Sequence, residues 1–176
     1  MLQIEAADAN RHPVGLEHRH KGEDRLKEKI ADILLLESDL SPREALEKVP
    51  DAVRYTFTYS PDGYADGVRA DVERLKAAGF EEVRLKNLWS SSQYKGINTQ
   101  WRRPETGLRF EVQFHTPESL QAKELTHGAY ERLRRPENET TTVERDELDE
   151  FQHRVNGLLA TPPGSEEIRD FPERKR

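Results

Sequence analysis

The sequence has no cysteine among its 176 residues, which excludes disulfide staples, thiolate metal sites and cysteine nucleophiles. It has no long apolar run: the longest, Ile33–Leu36, falls far short of the ~18–20 residues a membrane-crossing helix needs. Met1–His20 also lacks the apolar stretch of a signal peptide. Neither common glycine-rich phosphate loop occurs, which argues against a P-loop or a dinucleotide-binding fold. No Gly-x-Ser-x-Gly elbow is found either. Hydrophobic residues make up only 34% of the chain and aromatics 7%, against 35% charged; about 60 apolar side chains still suffice for one modest core. Basic excess is missing too, since 34 acids face 28 bases, a net charge of −6. Proteins that coat nucleic-acid phosphates are usually basic overall, so any anionic ligand here must be held by a local cluster of arginines and lysines.

The length suits one domain, and the period of the apolar residues changes along it. Leu26, Ile30, Ile33 and Leu34 predict a helix over Glu23–Leu36. Ser41-Pro42-Arg43-Glu44 is a start signal, with a capping serine, proline at the first helical position and glutamate placed for a capping box. Asp51–Ser60 alternates, with Val53, Tyr55, Phe57 and Tyr59 on one face and Arg54, Thr56 and Thr58 on the other. Pro61-Asp62-Gly63 breaks that strand, and Val68, Val72 and Leu75 stripe a helix ended near Gly79. Strands follow over Glu81–Trp89, Gly96–Arg103 and Leu108–His115, the last two joined by the turn Pro104-Glu105-Thr106-Gly107. Pro117 opens a helix to Leu133, and Val143–Leu159 forms the last one. The expected fold is α/β (α+β): a mixed β-sheet of about four to five strands with helices on one face, nucleotidyltransferase-like. Residues 1–18 read as a loose N-terminal lead-in, 19–160 as the domain, and 161–176 as a flexible C-terminal tail.

The face away from the helices carries the chemistry. In the last strand Arg109, Glu111, Gln113 and His115 alternate with Leu108, Phe110, Val112 and Phe114. Asn98, Gln100 and Arg102 from the hairpin partner, with Arg54, Thr56 and Thr58, point the same way if all apolar faces meet the helices. Solvated strands are often polar, so an ordinary wet surface is the plain alternative. Arginines, one carboxylate and several amides together are instead suited to a polyanionic, hydrogen-bonding ligand such as a nucleotide. His18-x-His20 has metal-ligand chemistry but no accompanying ligand cluster. Asn138-Glu139-Thr140 matches a glycosylation sequon, a pattern common by chance.

These residues resemble a known family. Glu111-Val-Gln-Phe-His-Thr116 is similar to the Glu-x-Gln-x-x-Thr strand of RelA/SpoT-type (p)ppGpp, or alarmone, synthetases, and Tyr94-Lys-Gly-Ile-Asn98 is similar to the Tyr-x-x-x-His segment that precedes it there. Arg19-His-Lys21-Gly22 followed by Lys29 resembles the family's Arg-x-Lys-x-x-x-Ser-x-x-x-Lys helix start, and Asp51-Ala-Val-Arg54 its Asp-to-Arg strand start. The helix around Ala122–Tyr130 echoes the one after the Glu-x-Gln strand. The pieces span residues 19–133 in the family's order. Three positions depart from it: Arg25 replaces the helix serine, Asn98 replaces the histidine, and Asp51 stands three residues before Arg54 rather than five.

The resemblance implies transfer of the β,γ-pyrophosphate of ATP to the 3′-hydroxyl of a purine nucleotide, with Mg²⁺ as cofactor. It places ATP on Arg19, Lys21, Lys29 and Arg54, and the acceptor on Tyr94, Lys95 and Asn98. Asp51 and Glu111 would bind the metal. Glu111 would also take the hydroxyl proton, supported by Gln113. The departures leave the acceptor open among GDP or GTP, an adenine nucleotide and the 3′ end of tRNA. No hydrolase motif accompanies these residues, so the expected role is a growth-inhibiting toxin or effector acting in the cytoplasm. Such a domain could be the C-terminal part of a secreted protein and be met by an immunity or antitoxin protein; no membrane partner is expected. Two further alternatives stand. One is a mono-ADP-ribosyltransferase, with Arg54, Ser90–Ser92 and Glu111-Val-Gln113 in the corresponding roles. The other is a nucleotide- or RNA-binding module without catalysis.

Overall fold

The computed structural model describes residues 10–136 and 139–172. Among them are five strands, β1 (His12–Val14), β2 (Arg54–Thr58), β3 (Glu81–Asn87), β4 (Ile97–Arg102) and β5 (Arg109–His115). Five α-helices accompany them: α1 (Glu23–Leu36), α2 (Pro42–Lys48), α3 (Tyr64–Ala77), α4 (Pro117–Leu133) and α5 (Thr142–Gly157). The start signals act as their chemistry predicts. Ser41 accepts from the Glu44 amide while the Glu44 carboxylate accepts from the Ser41 amide, and Thr116 and Ser119 exchange the same reciprocal bonds at the head of α4. Within α3, Gly67 stands where the Tyr59 ring crosses the helix; a Cβ there would lie 2.3 Å from that ring.

The strand order is β1-β2-β5-β4-β3, with β2 and β5 parallel and every other pair antiparallel. Register fixes the two faces, because side chains alternate along each strand. Phe57 lies opposite Phe114, which lies opposite Ile97, and Trp101 opposite Phe110. Val68, Val72 and Leu75 of α3 cover this face and complete the core. The one polar side chain fully buried in it from β4, Thr99, is satisfied: its hydroxyl donates to the Val112 carbonyl (3.0 Å) and accepts from Trp101 Nε1 (2.8 Å). On the opposite face Arg54 pairs with Glu111 and Gln113 with Asn98, so the parallel β2–β5 pairing sets the cation of one strand beside the carboxylate of the next.

Both ends of the described chain are more ordered than their composition predicts. Residues 12–14 form an edge strand on β2, where a loose lead-in is expected; Pro13 is tolerated because edge strands can spare a donor. Beside it Arg11 is buried, its Nη1 2.6 Å from Asp71 Oδ1 and its guanidinium 4.6 Å from the centre of the Phe57 ring. Asp71, on α3, also accepts from Arg74 (2.8 Å) and the Tyr59 hydroxyl (2.6 Å). The tail is likewise docked as far as residue 172. Asn87 Nδ2 donates to the carbonyls of Ser165 (2.7 Å) and Ile168 (2.9 Å), and Phe171 bridges Leu85 in antiparallel fashion. Asn138 of the sequon lies outside the described residues.

Candidate active site

Segment 19–21 runs beside the start of β2: the Arg54 amide donates to the Arg19 carbonyl (2.7 Å) and the Lys21 amide to the Ala52 carbonyl (3.1 Å). This places the Lys21 ammonium 2.7 Å from Asp51 Oδ2, while α1 brings Lys29 to 2.6 Å from Oδ1. Arg54 joins the same carboxylate through Nη2 (3.3 Å) and reaches Glu111 Oε2 through Nε (2.6 Å). Lys21, Lys29, Asp51, Arg54 and Glu111 are therefore linked in one continuous chain of ion pairs on the polar face. Asp51 and Glu111 are each only 12% exposed, so these are not the weak pairs of a wet surface. Burial alone would raise the Asp51 carboxyl, but the hydrogen bonds and charges of Lys29 and Lys21 hold it below its usual range.

Tyr94 is anchored through both its hydroxyl and its ring. Its hydroxyl donates to Asn98 Oδ1 (2.8 Å) and lies 2.9 Å from His115 Nε2, and the two rings meet edge-on at 5.4 Å. His115 in turn lies 3.0 Å from Ser119 Oγ of the α4 capping box. A consistent direction follows: Ser119 donates to Nδ1, Nε2–H to Tyr94, and Tyr94 to Asn98. Burial, with the Lys123 charge adding to it, pushes the His115 imidazole down to about 3 and keeps it neutral. Burial and the Glu111 charge raise the Tyr94 phenol, so it too stays neutral. Gly96 (φ 150°) makes the loop possible, because a Cβ there would stand 2.9 Å from the Phe114 carbonyl and 3.0 Å from the His115 ring. The loop is also held from outside: Asn156 of α5 donates to the Gln93 carbonyl (3.0 Å), and Ser92 Oγ is 3.0 Å from His153.

Two predicted residues stand apart from this network. Arg19 uses its side chain on His20 (Nε to Nε2, 3.2 Å), and Lys95 donates to the Trp89 carbonyl (2.7 Å). Ser90–Ser92 lie in the turn after β3. Gln113 bonds neither Glu111 nor Arg54; its Oε1 accepts from Lys123 of α4 at 2.6 Å. Lys123 and His115 join the candidate network without a signal in the sequence that sets them apart. No strand or helix period connects Lys123 to β5, and His115 looked like one more polar-face residue.

No group of three or more histidine and carboxylate side chains converges on a metal position among the described residues. The donors nonetheless fit Mg²⁺ at Glu111, since this ion commonly takes one or two carboxylates and completes its shell with substrate phosphates and water, and Arg54 engages only one Glu111 oxygen. Asp51 does not fit: both its oxygens are taken by ammonium or guanidinium groups. In this structure Asp51 is an ion-pair hub, where the resemblance implies a metal ligand.

This mixed-sheet fold is that of solved small alarmone synthetases. Among solved structures, a GTP pyrophosphokinase family protein from Streptococcus pneumoniae superposes with a TM-score of 0.54 at 13% identity, over 84% of this chain and 70% of that one. Small alarmone synthetase 1 from Bacillus subtilis, bound to its product pppGpp, gives 0.52 at 14% identity, over 84% and 72%. Small alarmone synthetase 2 of the same organism gives 0.51 at 17%, over 84% and 74%. No family model matches the chain, and no curated protein matches it.

Proposed function

We propose that the protein is an ATP-dependent nucleotide pyrophosphokinase that transfers the β,γ-pyrophosphoryl group of ATP to the 3′-hydroxyl of a purine nucleotide. The observation that carries this reading is the ion-pair chain Lys29–Asp51–Lys21/Arg54–Glu111 on the polar face of an alarmone-synthetase fold. Phosphoryl-type transfer is mostly positioning plus neutralisation of phosphate charge. Lys21, Lys29 and Arg54 supply the cations, held ready by Asp51. Glu111, whose charge is felt at Tyr94, would take the proton of the acceptor hydroxyl; the 3′-oxygen bonds to the β-phosphorus, the bond from that phosphorus to the α-phosphate oxygen breaks, and AMP leaves. Mg²⁺, held by Glu111 and the substrate phosphates, would supply charge neutralisation at those phosphates. Tyr94 and Asn98 form the acceptor wall. Arg19 and Lys95 would join only after their present contacts open.

Such an enzyme consumes ATP in the cytoplasm and, wherever no hydrolase removes its product, inhibits growth as a toxin or effector; a neutralising immunity or antitoxin protein is the matching partner. The test is incubation with labelled ATP, Mg²⁺ and, separately, GDP, GTP, ADP, AMP and tRNA, with products resolved by chromatography. AMP release together with a pyrophosphorylated acceptor is expected, and Glu111→Gln should lose it. NAD consumption instead, or equal product from wild type and Glu111→Gln, would refute the assignment.

A further inference from the structure

The cations of the candidate site differ in how their charge is met. Lys21 and Lys29 close on Asp51, and Arg54 on Asp51 and Glu111. Among the described residues Lys123 has no such counter-ion. It enters from α4, its ammonium is largely withdrawn from solvent, and its hydrogen-bond acceptor is the neutral amide oxygen of Gln113 at 2.6 Å. Glu111 and Glu124 attract it only through space, and Arg54 repels it. A part-buried charge left with a neutral partner is costly to the fold; burial first, then the Arg54 charge, pushes the Lys123 ammonium down to about 8. An amide side chain could donate to Gln113 without bringing in a charge, so the hydrogen bond alone does not call for a lysine.

Position says what the missing counter-ion is. Gln113 sits two residues along β5 from Glu111, on the same face, and directly opposite Asn98, the partner of the Tyr94 hydroxyl. Lys123 therefore stands over the stretch of the polar face that joins Glu111 to Asn98. We propose that Lys123 is a phosphate-binding residue of this face, its ammonium taking a pyrophosphoryl oxygen as the counter-ion that the described residues do not provide. The identity of the anion rests on the pyrophosphokinase reading; the existence of an anion site at Lys123 rests on the geometry alone. Lys123 then contributes to holding the group in transfer, while Gln113 aims the ammonium rather than the carboxylate of Glu111.

The test uses inorganic pyrophosphate and needs no turnover. Calorimetric titration of the full chain, wild type against Lys123→Met, should show affinity reduced on the order of ten- to a hundredfold, the worth of one charge-assisted hydrogen bond. In ¹³C-methyl-free, lysine-labelled protein, the ε-carbon signal absent from Lys123→Met should shift in wild type as pyrophosphate is added. If Lys123→Met does not fold, the same signal is assigned by through-bond experiments and its response in wild type decides. An unmoved Lys123 signal at saturating pyrophosphate, or equal affinity of the two proteins, would overturn the proposal. Absence of AMP release with every acceptor, alongside a Lys123 signal that does move, would defeat the pyrophosphokinase reading and leave the anion site standing.

Discussion

Replacing Asp51 by Asn separates an ion-pair hub from a metal ligand. The amide keeps the shape but removes the charge that Lys21, Lys29 and Arg54 share at 2.7, 2.6 and 3.3 Å, leaving Arg54 its bond to Glu111 and taking from both lysines the carboxylate they close on. Breaking a buried pair by removing one partner costs about 3–5 kcal/mol; Lys29 and Arg54 are 37% and 40% exposed, so solvent screening brings the expected loss to about 2–3 kcal/mol. For a chain of this length that lowers the melting temperature by roughly 4–12 °C. Pyrophosphate should then restore stability to Asp51→Asn more than it adds to wild type, because the anion replaces the lost charge. The assay is differential scanning calorimetry with and without pyrophosphate, in the absence and presence of Mg²⁺. A melting point within 2 °C of wild type, with a pyrophosphate response that vanishes only when Mg²⁺ is present, would refute the hub and restore a ligand role to Asp51.

Three other outcomes are expected. His115 is neutral when folded, with its imidazole pushed to about 3, so the unfolded chain binds more protons below about pH 6.5 and stability must fall with pH; between pH 7 and 4.5 the loss should reach about 2–3 kcal/mol, and His115→Phe should flatten that limb in pH-dependent unfolding curves. Gly67→Ala ought to destabilise despite the better helix propensity of alanine, by roughly 1–3 kcal/mol, since its Cβ would meet the buried Tyr59 ring at 2.3 Å; urea unfolding reads this, and a gain in stability would contradict the packing. Asn87→Ala removes both side-chain bonds to the tail and should speed amide exchange at residues 165–171 while leaving α3 protected.

What could be read from the sequence was whatever repeats locally. The alternation in Arg54–Thr58 and Arg109–His115 fixes both strands and the side on which Glu111 stands, and Ser41-Pro42-Arg43-Glu44 marks α2 through its own hydrogen bonds. Features that depend on distant partners were not legible. His12–Val14 is too short to show a period and becomes a strand only by pairing with β2. The tail carries no pattern either, and is ordered by distant partners, among them Asn87, the backbone of Leu85 and Arg69. Lys123 looks like any lysine on a helix until α4 is seen to return over Gln113, and the saturation of Asp51 depends on how Lys21 and Lys29 close around it.

The two sheet margins share one fate. On one side the short β1 masks β2, and on the other Phe171 occupies the backbone groups of Leu85 in β3. Exposed strand margins recruit further strands and drive association. Trimming the polypeptide to tidy boundaries at residues 18 and 160, as its composition invites, would uncover both at once and favour a product that clumps before its chemistry could be measured.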